Sequence, residues 1–219
     1  MSSGKKAFLF DMDGVLIDTE RTWVRHGARF LTDLFGEEVM KRVGSTIGMS
    51  GATIFKKARE LGADFDEATY IALHDAEANR IYDLASMTQG IDELGKVLHE
   101  RGYLMGIVSA SRSEWINFML PRLTFAGDLS LVLSLSERSD LRHKPHPDGY
   151  QEAMRLLEVT PEDTIILEDS NSGIAAGKAA GAFVIGLSTN LPEGYKQEGA
   201  DLYADTIEDV IGYLDLIDL

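Results

Sequence analysis

Apolar residues run without a polar break from Ala7 to Phe10 and stop at Asp11, which predicts a short strand buried on both faces. From about residue 18 to residue 86 the period lengthens to that of helices. Trp23, Val24, Gly27, Phe30, Leu31, Leu34 and Phe35 recur at helical spacing, and Gly36 supplies a stop. Ile54, Phe55, Ala58 and Leu61 repeat the pattern before Gly62. Asp66 stands as the N-cap of a further helix that takes in Ile71, Ile81 and Leu84. No strand pattern interrupts this region. After Gly90 the two periods alternate. "IDELGKVLHERG", "DGYQEAMRLLEV" and "GIAAGKAAG" read as helices; "YLMGIVSAS", "LSLVLSL", "DTIILEDS" and "AFVIGLS" read as strands.

Alternation of this kind implies right-handed crossovers and a parallel sheet covered on both faces. The expected fold is therefore α/β: a doubly wound, Rossmann-like core from residues 1–17 and 88–219, with an all-helical segment, 18–87, inserted after the first strand. With 219 residues the chain can bury a substantial core. Its 44% hydrophobic and 26% charged residues are ordinary for a soluble globular protein.

Charge narrows the partners. The 36 acidic residues outnumber the 21 basic ones, for a net charge of −15. Such a surface argues against nucleic acid and anionic membranes as partners. An anionic substrate would then need local positive charge, such as a metal ion. The absence of cysteine excludes disulfides and thiolate metal sites and fits a reducing, cytoplasmic setting. The apolar stretch after Lys5 and Lys6 is too short for a secretory signal, and no run reaches transmembrane length.

Ligands of an open parallel sheet bind at the carboxyl ends of its strands. Polar groups fall at four such ends here. The first strand runs into Asp11 and Asp13, "GIVSAS" ends in Ser109 before Ala110, and "IILEDS" ends in Glu168 and Asp169. Lys144 precedes the helix after the third strand. Each group alone has a plain reading as turn, cap or solvated surface; their conjunction points to phosphoryl transfer. Carboxylate oxygens suit Mg²⁺, which would relieve the repulsion among the acids. Asp11 and Asp169 would bind it, with Glu168 assisting. One Asp would attack phosphorus, Asp13 would serve as acid and then base, and Ser109 and Lys144 would hold phosphoryl oxygens.

"DMDGVLIDTE", "VSAS", "KPHPDGY" and "LEDSNSGIAAGKAAG" together resemble the four motifs of the haloacid dehalogenase-like superfamily, nearest its phosphatase and β-phosphoglucomutase branch with a helical cap. The resemblance implies Asp11 as nucleophile and Asp13 as acid/base with its backbone carbonyl on Mg²⁺. It implies Ser109, Ala110 and Lys144 around the phosphoryl group, and Asp169 with Glu168 at the metal. Asn171 stands either near the metal's water shell or as a helix cap. Mutase-like relatives carry basic residues where this chain has Trp23 and Gly51, both taken here as substrate-binding positions. Arg21, Arg25, Lys56 and Arg80 are possible substitutes that read equally as solvated helix surface. The expected function is a Mg²⁺-dependent phosphatase acting on a small phosphate ester, as a monomer or weak homodimer. A phosphomutase and a phosphorylatable, receiver-like switch are the alternatives.

Overall fold

The structure, a computed structural model, describes residues 4–46, 49 and 51–217. Strand β1 (Ala7–Phe10) is followed by helices α1 (Thr19–Thr22), α2 (Ala28–Phe35), α3 (Glu37–Val43), α4 (Gly51–Glu60) and α5 (Glu67–Leu84). The alternating part runs α6 (Ile91–Glu100), β2 (Leu104–Ser109), α7 (Ser113–Met119), β3 (Leu129–Ser134), α8 (Asp148–Leu157), β4 (Thr164–Glu168), α9 (Asn171–Ala179), β5 (Phe183–Leu187), β6 (Leu202–Ala204) and α10 (Ile207–Ile217). The strands form one parallel sheet in the order β3-β2-β1-β4-β5-β6. This is the expected doubly wound α/β fold with a helical insertion.

Alternation along β1 divides its side chains between two cores. Phe8 and Phe10 pack with Ile107, Leu167 and Ile185 and with Leu94, Val210 and Leu214 from α6 and α10. Ala7 and Leu9 pack with Val108, Ile166 and Val184 and with Tyr150 and Ile174 from α8 and α9. Strands buried on both faces are the physical reason for the unbroken apolar runs.

The inserted helices have their own core of Leu31, Phe35, Val43, Ile54, Phe55, Ala58, Ala63 and Tyr70. Asp66 caps α5 as expected, accepting the Thr69 N–H at 2.8 Å. The first helix departs from the simple pattern: a π-helical turn, Trp23–Gly27, separates α1 from α2. A Cβ at Gly27 would lie 2.0 Å from the Trp23 ring, so the indole occupies space that only glycine leaves open.

The two connections of the insertion run side by side. The Asp18 N–H donates to Ser86 O at 2.9 Å, and the Thr88 N–H donates to Leu16 O at 3.0 Å. Helix α5 rests on α7. Arg112 pairs with Asp75 at 2.6 Å, the Trp115 indole donates to Asn79 Oδ1 at 2.8 Å, and Tyr82 stacks on Trp115 at 5.5 Å. Arg122 donates to the carbonyls of Tyr82 and Ala85, at 3.1 and 2.6 Å, satisfying acceptors that the end of α5 leaves open.

Candidate active site

The chain builds the sheet outward from β1 in both directions, so the strand order reverses beside it. That switch point is where a doubly wound sheet opens a crevice at its carboxyl ends. Asp11 follows the last residue of β1, and its N–H donates to Leu167 O at 3.0 Å, which holds it against β4. The next residues of β4 and its exit are Glu168 and Asp169. Asp11, Glu168 and Asp169 are all buried, and one carboxylate oxygen from each lies within 4.8 Å of the others.

Lys144 reaches this cluster from the loop before α8. Its Nζ donates to Asp11 Oδ1 at 2.5 Å, Glu168 Oε1 at 2.6 Å and Val108 O at 3.2 Å. Its side chain is 8% exposed, so it is no solvated surface residue. Glu168 also accepts from the Tyr150 hydroxyl at 2.6 Å. Three buried carboxylates thus face one ammonium. Burial is the main cause that pushes the Asp11 carboxyl up to about 7, opposed by Lys144 and reinforced by Glu168 and Asp13. Burial, then Glu20 and Asp11, pushes Asp169 well above the ordinary carboxylate range.

The residues fit a small hard cation. Asp169 Oδ2 is buried and has no hydrogen-bond partner. All the donors are oxygens, and negative charge is in excess, as Mg²⁺ requires. Two glycines keep the pocket open. Gly14, at φ +78, would place a Cβ 1.9 Å from Asp169 Oδ2; a Cβ on Gly173 would lie 1.9 Å from the carboxyl carbon of Glu168.

Asp13 is held separately, by three hydroxyls. Its Oδ1 accepts from Thr19 at 2.9 Å and from Tyr82 at 2.6 Å, and its Oδ2 accepts from Ser111 at 2.6 Å. Thr19 and Tyr82 belong to α1 and α5; Ser111 follows β2. Ser109 is fully buried, and its Oγ accepts the Ser111 N–H at 3.0 Å, closing the turn after β2 rather than capping α7. Ala110 is exposed at the strand's end.

The structure therefore gathers Asp11, Lys144, Glu168 and Asp169 and sets Asp13 and Ser109 beside them. Trp23 and Gly51 meet at His74. The indole stacks on the imidazole at 5.4 Å, and a Cβ on Gly51 would lie 2.7 Å from the ring. Ile47, Gly48 and Ser50, in the loop that leads to Gly51, lie outside the described residues. Arg80 pairs with Glu77 on its own helix, and Arg21 pairs with Asp18. Asn171 is not the cap of α9. Ser170 is, accepting the Gly173 N–H at 3.1 Å, while the Asn171 amide clamps Lys196 O and the Glu198 N–H. Sequence reasoning missed Tyr82, Thr19, Ser111 and Tyr150. The last three lie inside the quoted motifs; Tyr82 does not.

Comparison with known proteins agrees with this architecture. The profile described as haloacid dehalogenase-like hydrolase matches residues 8–187. A validoxylamine A 7'-phosphate phosphatase from Streptomyces hygroscopicus subsp. limoneus is 30% identical over 198 residues, spanning 84% of this chain and 86% of that protein. A pyrophosphatase PpaX from Listeria welshimeri is 26% identical over 205 residues, 93% of each chain. The crystal structure of a putative β-phosphoglucomutase from Thermotoga maritima superposes with a TM-score of 0.72 at 21% identity, over 96% of this chain and 99% of that one, a likeness of fold.

Proposed function

The chain belongs to the haloacid dehalogenase-like hydrolases, and from that premise we propose that it is a Mg²⁺-dependent phosphatase of a small phosphorylated metabolite, a sugar phosphate or similar monoester. The observation that carries this reading is the buried meeting of Asp11, Lys144, Glu168 and Asp169 at the switch point, with Asp169 Oδ2 left unpaired. A relative named as a phosphatase of a 7'-phosphate supports it.

In this mechanism the Asp11 carboxylate attacks phosphorus, forming an aspartyl-phosphate as the bond to the leaving oxygen breaks. Asp13 gives that oxygen its proton. The resulting Asp13 carboxylate then takes a proton from water, whose oxygen attacks the phosphoryl group, releasing inorganic phosphate and restoring Asp11. Lys144 fixes Asp11 Oδ1 and supplies positive charge where phosphoryl oxygens gather, with Ser109 and the exposed Ala110 end of β2 beside them. Mg²⁺, held by Asp11, Asp169 and the Asp13 carbonyl with Glu168 assisting, supplies charge neutralisation when bound. Residues 18–87, hinged at the paired connections, would act as a cap that limits water at the site.

The absence of a basic side chain at Trp23 and Gly51 supports hydrolysis over mutase chemistry, since a bisphosphate intermediate needs a second cationic grip. A receiver-like switch accounts for neither the helical insertion nor the family match. The deciding experiment follows β-glucose 1-phosphate by ³¹P NMR with glucose 1,6-bisphosphate and Mg²⁺ present, alongside a panel of monoesters and pyrophosphate assayed for phosphate release. Net inorganic phosphate is expected. Rapid conversion to glucose 6-phosphate with little free phosphate would assign a mutase instead.

A further inference from the structure

We propose that Tyr82 is a positioning residue for the Asp13 carboxylate, and that it ties the proton-transfer steps to the seating of α5 on the core. The inference rests on the reading of Asp13 as acid and base.

The Tyr82 side chain is buried, and its hydroxyl lies 2.6 Å from Asp13 Oδ1 across a sequence separation of 69 residues. Nothing about the ring is loose. It stacks on Trp115 at 25°, and the Arg122 guanidinium grips the Tyr82 and Ala85 carbonyls. The hydroxyl therefore goes where α5 goes.

A buried tyrosine needs a hydrogen-bond acceptor, but that need alone does not explain three hydroxyls from three elements on one carboxylate. Thr19 and Tyr82 come from the inserted helices, Ser111 from the core. The cradle is complete only when the insertion is seated. It can also be left cheaply. Ser111 Oγ lies 3.0 Å from the Tyr82 hydroxyl, so when the carboxylate turns towards a leaving oxygen or a water, the two hydroxyls pair with each other. Neither of these two is orphaned, so for this pair the penalty that normally locks a buried hydrogen bond is avoided, and Thr19 alone gives up its bond. Tyr82 thus holds Asp13 ready without trapping it.

Leaving groups separate this role from general support. A p-nitrophenolate leaves without a proton, so attack by Asp11 on an aryl phosphate does not need Asp13; hydrolysis of the aspartyl-phosphate does. In full-length Tyr82→Phe with Mg²⁺, stopped-flow assay with p-nitrophenyl phosphate should show a burst approaching one nitrophenolate per enzyme, followed by slow turnover. The first-step rate should stay within about twofold, while kcat/KM for an alkyl sugar phosphate falls on the order of tenfold. Trp115→Leu, which keeps the hydroxyl but removes its stack, should show a weaker form of the same pattern, and decides the matter if Tyr82→Phe does not fold. Equal losses on both substrates, or none on either, would overturn the proposal. Asp13→Asn is measured in parallel. If it lacks leaving-group dependence, the acid–base reading itself fails; if it shows it and the Tyr82 and Trp115 variants do not, only the role of Tyr82 fails.

Discussion

Asp11 shows at the scale of one residue how burial and charge oppose each other. Its carboxyl is pushed up to about 7, chiefly by burial, although Lys144 sits 2.5 Å away; the Glu168 carboxylate, which shares that ammonium, and Asp13 add to the rise. Asp11→Asn should remove activity by several orders of magnitude, as an amide cannot displace a leaving group from phosphorus; steady-state turnover with Mg²⁺ measures this. In EDTA the same variant should melt higher than wild type at pH 8, since it deletes one of three mutually repelling buried charges. Gly173→Ala tests the space beside Glu168. A methyl there would drive into the carboxyl group, loosening its bonds to Lys144 and Tyr150, with an expected loss of about 1–3 kcal/mol in urea unfolding and a lower turnover. The acids were legible in sequence because each sits at a strand end within a dense motif, and Lys144 because it stands in such a motif just before a helix. Tyr82 was not, since nothing beside it in "RIYDL" distinguishes a hydroxyl aimed at Asp13 from one more buried aromatic on a helix.

Among the elements, the inserted helices put the sharpest limits on reading by period. The Trp23–Gly27 turn shifts the helical phase mid-way, and the apolar spacing on either side looks the same with or without it. Helix α7 and strand β6 are too short to show a period, whereas α10 was there to be read: Ile207, Val210 and Leu214 are buried at helical spacing. Trp23, Gly51 and His74 form a junction among the inserted helices that has its own pH signature. Burial lowers the His74 pKa, opposed by Asp75 and Glu77 and aided by Arg112. A folded-state pKa below the unfolded one, about 6.5, means the unfolded chain binds more protons as the solution acidifies. The stability contributed by neutral His74 is therefore present above that pH and lost below it. His74→Gln should flatten the decline of melting temperature between pH 7 and pH 5 relative to wild type, and an unchanged slope would refute the assignment. Gly27→Ala should push the indole off His74, seen as a shift in tryptophan emission, and alter preference among sugar phosphates more than the rate on a small aryl phosphate.

The whole molecule carries a net charge of −15, and its active-site crevice concentrates that sign where an anionic substrate must enter. Mg²⁺ should raise the melting temperature of the wild-type protein in a concentration-dependent way, as any ligand of the folded state does, and Asp169→Ala should abolish the rise. EDTA should abolish phosphatase activity and Mg²⁺ should restore it; full activity in EDTA would contradict the mechanism. Strand–helix alternation made the overall architecture readable, while the seating of α5 against α7 was not, because Asp75, Asn79 and Tyr82 meet Arg112 and Trp115 across the tertiary fold alone. The paired connections have a further consequence. Since Asp18 N–H touches Ser86 O, the chain leaves and re-enters the core at nearly one point. A stretch whose ends already meet can be lengthened, shortened or replaced with little loop-closure penalty and without disturbing the register of the sheet. Recombination can therefore graft a different helical module onto the same sheet, provided that the graft resupplies the hydroxyls that Thr19 and Tyr82 place on Asp13.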